Sequence, residues 1–126
     1  MLAAGACKGK VDTRPCSTAI RNARNAWSTL EQECRLRGSS FEDDARRTVL
    51  VHCEVGASAA GRALDDWDAD LTSRSGKFRA QEKYVRENVA EAVQAATAAG
   101  DELRPLLAEA QTASESALTA CAGLEP

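Results

Sequence analysis

The chain has 126 residues and a formal net charge of −3, with eight Gly and three Pro. A length near 100 to 200 residues fits one domain, here 1–126, and leaves no material for a second core. So few turn formers exclude a turn-rich β fold, and the 25 Ala, about a fifth of the chain, favour helix because Ala loses no side-chain entropy on folding.

Leu, Ile, Val and Phe together number only 21, below the roughly 20% at which disorder becomes a concern. Disordered chains lack periodicity, whereas the apolar residues here recur at helical spacing. Ala-lined helices approach closely and give a slender bundle with modest hydrophobic stabilisation, one that would gain from covalent staples.

Residues 1–11, with Gly5 and Gly9, read as an irregular lead-in. A first helix starts near Asp12 to Cys16 and runs to about Arg37, where Gly38 can cap it. Its apolar stripe, Cys16, Ile20, Ala23, Trp27, Leu30 and Cys34, steps by four and three, which is a heptad seam. Ser39 and Glu42 form a capping-box pattern for a second helix, with Asp43 and Asp44 favoured by the helix dipole. Ala45, Val49, Cys53, Gly56, Ala60, Ala63, Trp67 and Leu71 are assigned to its inner face, and Gly76 ends it. The small residues from Gly56 to Gly61 allow a close helix crossing.

A third helix spans about 77–99, with Phe78, Val85, Val89, Ala92, Ala96 and Ala99 inward. Gly100, Asp101 and Pro105 then favour a turn into a fourth helix over about 104–122, carrying Leu106, Ala110, Ala113, Ala117 and Cys121. The expected fold is an all-α antiparallel four-helix bundle. Because Ala99, Leu103, Leu106 and Ala110 hold phase through the break, the alternative is a three-helix bundle whose long last helix is kinked near Gly100 to Pro105.

Cys7, Cys16, Cys34, Cys53 and Cys121 are disulfide candidates. They lack C-x-x-C spacing, and the single His52 cannot complete a zinc set. Scattered cysteines in a thin-cored domain suggest an oxidising compartment, against the reading of buried free thiols in a cytosolic protein. At about 1.5 Å of rise per residue, Cys16 and Cys121 differ in level by only about 6 Å and can bridge. Cys7 can pair with either. Cys34 and Cys53 fall about 14 Å apart in level, too far unless the intervening turn is longer than drawn. The odd count leaves one thiol free or joined to another chain.

Asp66, Asp68 and Asp70 imitate the opening of a calcium loop, but Leu71 stands where the turn needs Gly and Lys77 where a bidentate Glu belongs. A solvated acidic face is the simpler reading, and no metal or cofactor is assigned. Gly5 to Lys10 is one residue short of a phosphate-binding loop. His52 and Cys53 are helix neighbours pointing about 100° apart, so they cannot share a proton as base and nucleophile. No catalytic residue is assigned, and a non-enzymatic protein is expected. Charge runs from +4 over 1–40 to −4 over 41–76 and −3 over 77–126. The basic first helix is expected to pack beside acidic neighbours and not to bind nucleic acid, which calls for an aromatic platform that only Trp27, in the seam, approaches. Trp27 and Trp67 read as core aromatics, with a ligand pocket between them as the alternative.

The stretch VDTRPCSTAIRNARNAWSTLEQEC and the Ala-rich run from Val89 to Cys121 resemble the alanine-rich, cysteine-containing helical surface proteins of trypanosomatid parasites. The resemblance implies an exported ectodomain standing on a membrane through an anchor outside this sequence and serving as coat or receptor. Met1 to Ala6 is too short for a signal segment and no run is long enough to span a bilayer, so a soluble chain is expected, with any signal or anchor lying beyond it. The expected function is a cell-surface or secreted coat, adhesion or ligand-binding protein, with a protein or host-surface ligand as partner and homo-oligomers allowed. The alternative is a cytoplasmic helical adaptor or subunit that docks through its Ala face.

Overall fold

In the computed structural model, residues 12–73 and 76–124 are described, so the expected lead-in and Cys7 lie outside the described residues. Four helices account for nearly all of the rest: α1 Arg14–Ser39, α2 Asp44–Ser73, α3 Phe78–Ala99 and α4 Arg104–Ala120. They form an antiparallel four-helix bundle, and no strand occurs among the described residues. Each long helix packs against its neighbours around the ring, α1 on α2 and α4, α2 on α3, while diagonal pairs do not meet and the α3/α4 seam is the loosest.

Helix α1 starts where Pro15, lacking an N–H, fits the first turn and the Asp12 carboxylate accepts the Arg14 N–H at 3.1 Å. The heptad seam is all inside: Cys16, Ile20, Ala23, Trp27, Leu30 and Cys34 are buried, joined by Gly38. Helix α1 runs two residues past its expected end. The Ser39 hydroxyl donates back to the Leu36 carbonyl at 2.8 Å and is not available for the capping box with Glu42. Asp43 takes that role, its Oδ1 accepting the Ala45 N–H at 3.1 Å at the head of α2.

The inner face of α2 is Leu50, Cys53, Ala57, Ala60, Ala63, Leu64, Trp67 and Leu71. Ala45 is exposed and Val49 and Gly56 are only half-buried, contrary to the sequence assignment. The bulky Leu50 and Leu64 set the phase, and small residues follow whichever phase the large ones take. Gly56 is turned instead toward α3, where a Cβ would stand 3.2 Å from the Ala92 Cα. Helices that close exclude larger side chains. Gly56→Leu is expected to cost about 1–3 kcal/mol by overpacking, while Gly56→Ala should be nearly neutral, because the gain in helix propensity of about 1 kcal/mol offsets the tight contact. Urea unfolding of the two variants measures the difference, and a tolerated Leu would refute the close crossing.

The break at Gly100 is a true turn. Its φ of 122° lies where side-chain-bearing residues are strained, a 3₁₀ turn covers Asp101–Leu103, and Pro105 sits in the first turn of α4. The single kinked helix is therefore not formed. Along α4 the buried residues are Leu107, Ala110, Ser114, Ala117 and Cys121, while Leu106 and Ala113 are half-buried. Leu103, Leu107, Ala110, Ser114, Ala117 and Cys121 repeat the four-three spacing of α1 without a slip.

Candidate functional site

Two disulfides tie the bundle. Cys16 joins Cys121 with Cα atoms 4.8 Å apart, linking the start of α1 to the end of α4 as their levels along the helices require. Cys34 joins Cys53 with Cα atoms 6.0 Å apart, which corrects the expectation that they lie too far apart. The turn occupies 40–43, longer than drawn from the sequence. Cys34 therefore lies five residues before the end of α1 and Cys53 nine residues into α2, a level difference of about 6 Å. All four sulfur-bearing side chains are in the core.

Because Cys53 is in a disulfide, it is not a nucleophile, and the neighbouring His52 is exposed on a groove between α2 and α3. The acidic triplet is divided around its helix. Asp68 turns toward α1, where its Oδ1 accepts the Ser17 hydroxyl at 2.8 Å and its Oδ2 faces Arg21 at 3.5 Å, while Asp66 is exposed. Among the described residues no group of three or more His, Cys, Asp or Glu side chains could hold a metal ion.

The arginines of α1 meet the acidic residues of neighbouring elements. Arg21 pairs with Asp68, Arg24 with Asp65 at 2.9 Å, Arg35 with Glu31 and Glu54 at 3.1 and 3.0 Å, and Arg37 with Glu33 and Glu102. The hydrogen bond to Glu54 raises the Arg35 guanidinium above its ordinary range. At the entry to α1 the Arg14 side chain holds the Asp12 carboxyl below the usual carboxylate range. Pairs this exposed orient the helices more than they stabilise them.

Both tryptophans are fully buried and hydrogen-bonded within the protein. Trp27 Nε1 donates to Ser114 Oγ at 2.8 Å, and that hydroxyl donates in turn to the Ala110 carbonyl at 2.8 Å. Trp67 Nε1 donates to the Phe78 carbonyl at 3.0 Å, and its ring stacks on Phe78 with centroids 5.0 Å apart. The Trp27 to Ser114 bond was not foreseen, although Ser114 sits in phase with Ala110 and Ala117; a polar residue in a seam is the signal that could have found it.

Three concavities among the described residues lie between neighbouring elements. One of about 150 Å³ between α1 and α2 is lined by Arg24, Glu31, Arg62 and Asp65 with Ser28 and Ser58, so its charges balance. One of about 440 Å³ between α2 and α3 is lined largely by Ala95, Ala98, Val49 and Thr48, with His52 and Glu91 on it. The third, about 370 Å³, lies between the first turns of α3 and the chain beyond α4, lined by Phe78, Arg79, Glu82, Lys83, Arg86 and residues 122–124. Its origin is local. In the second half of α3 the apolar Val89 and Val93 pack on the core, whereas in the first half the flank toward α4 carries charged side chains and the seam cannot close.

No helix among the described residues is long and apolar enough to cross a membrane. No family model, curated protein or solved structure matches the chain.

Proposed function

We propose that the chain is a non-enzymatic, extracytoplasmic helical-bundle protein, a cell-surface or secreted coat, adhesion or ligand-binding ectodomain. The observation that carries this reading is the pair of core disulfides, which close sequence separations of 105 and 19 residues. Disulfides persist in oxidising compartments, and a core filled with Ala gains most from them. The resemblance to trypanosomatid surface proteins fits the same reading. Thiol counting in denaturant without reductant tests it. One reactive thiol per chain, Cys7, is expected in freshly purified native protein, and five would overturn it.

A second reading, an intracellular helical adaptor, draws on Val51 and Val55, one turn apart on the outer face of α2 and 46% and 59% exposed. Five free thiols together with concentration-dependent association would favour it.

A further inference from the structure

We propose that the outer face of α2 pairs with the same face of a second copy of this chain, antiparallel about a two-fold axis, with Val51 of each copy packed on Val55 of the other. The pairing uses no cysteine, so it stands or falls separately from the compartment proposed above.

Asp44, Thr48, Val51, Val55, Ser58 and Arg62 step by four, three, four, three and four along α2, the spacing of a coiled-coil seam. At 3.6 residues per turn they share a sector of about 80°. The core residues Leu50, Cys53, Ala57, Ala60 and Leu64 occupy the opposite side, so α2 carries two seams and the bundle uses one. The outer seam is left to solvent. Its central Val51 and Val55 are 46% and 59% exposed, and Asp44, Thr48 and Arg62 are exposed as well. Single exposed apolar side chains are ordinary, whereas two neighbours at the centre of a heptad frame form a strip that a second helix can cover.

Charge selects the occupant and its direction. The seam is acidic at its start and basic at its end, and the two ends are equally far from the valines: Asp44 lies seven residues before Val51 and Arg62 seven after Val55. Setting Val51 opposite Val55 in an antiparallel pair therefore also sets Thr48 opposite Ser58 and Asp44 opposite Arg62. The two-fold axis repeats each contact, which gives an apolar centre, hydroxyls on either side and an ion pair at each end. Arg62 makes no ion pair among the described residues. The Asp44 carboxylate, paired with Arg47 at 3.0 Å, keeps 92% of its side chain exposed and can accept a second guanidinium. Parallel pairing would instead place Asp44 on Asp44 and Arg62 on Arg62, which repel.

The flanks allow the approach. On the α1 side Glu54 is already answered by Arg35 at 3.0 Å. On the α3 side the seam borders the groove of about 440 Å³, which shares Thr48 with it and adds Val49, Ala95 and Ala98 to the apolar area. One helix face per copy buries less than the roughly 1,200 Å² of stable complexes, so a weak dimer is expected, with a dissociation constant of about 100 µM.

Sedimentation equilibrium of the Cys7→Ser chain, which lacks the thiol outside the two disulfides, tests the proposal from about 10 µM to about 1 mM. A monomer–dimer equilibrium is expected. Val55→Glu should weaken it at least about tenfold, because a carboxylate enters the central layer twice. Leu36→Glu, at a position on α1 that is 64% exposed, should leave it unchanged. Arg62→Asp and Asp44→Arg should each weaken association about threefold to tenfold, and the two together should restore it to within about twofold of the starting chain. That rescue separates a contact between copies from a role of either residue inside its own bundle. A chain that stays monomeric up to about 1 mM overturns the proposal and leaves the strip to a different partner. A dimer that survives Val55→Glu, or single reversals that the double exchange fails to rescue, overturns it as well.

Discussion

Replacing Cys16 and Cys121 together by Ala is expected to lower the unfolding free energy by about 4–5 kcal/mol, and replacing Cys34 and Cys53 by about 3 kcal/mol. The difference comes from loop length. The first pair removes the freedom of a chain 105 residues long from the unfolded ensemble and the second of only 19. Both Cys pairs are buried, so the small volume lost on going to Ala adds similarly to each. Chemical denaturation of the two double variants without reductant provides the comparison. Equal losses, or a larger loss for the shorter loop, would show that the bridges act through native packing and not through the unfolded chain. Domains have about 5–15 kcal/mol in total, so a bundle this dependent on its bridges would be viable only where they stay oxidised, which links the measurement to the proposed compartment.

How far the fold could be read depended on where bulky residues sit. In α1 the large side chains Ile20, Trp27 and Leu30 fall on one stripe, and every seam residue named from the sequence is buried. In α2, Ala57, Ala59, Ala60 and Ala63 satisfy several phases at once, so the inner face was drawn partly through Ala45 and Gly56 when Leu50 and Leu64 decide it. In α4 the assignment passed over Ser114 for the apolar Ala113, because a hydroxyl in a core has no value until its partner is known. The Cys34 to Cys53 bridge was missed through a turn drawn too short, since each residue of error displaces a level by about 1.5 Å. The α3 cleft was not legible at all. Its cations look like an ordinary solvated face until α4 is known to lie beside them.

The hydrogen bond that unites α1 with α4 gives the other large effect. Trp27→Ala should cost about 3–5 kcal/mol, the range for emptying an aromatic from a packed core. Ser114→Ala alone should cost about 1–3 kcal/mol, because it leaves the indole N–H buried with no acceptor. Trp27→Phe removes the donor and some volume, yet Ser114 keeps its bond to the Ala110 carbonyl, so its loss reflects mainly packing. Trp27→Phe combined with Ser114→Ala takes both polar groups away together, and its cost should fall below the sum of the singles by about 1 kcal/mol or more. Urea unfolding of the four proteins closes the cycle. Additive losses would mean that water, not Ser114, satisfies the indole, and that the core between α1 and α4 is wetter than a fully buried Trp27 allows.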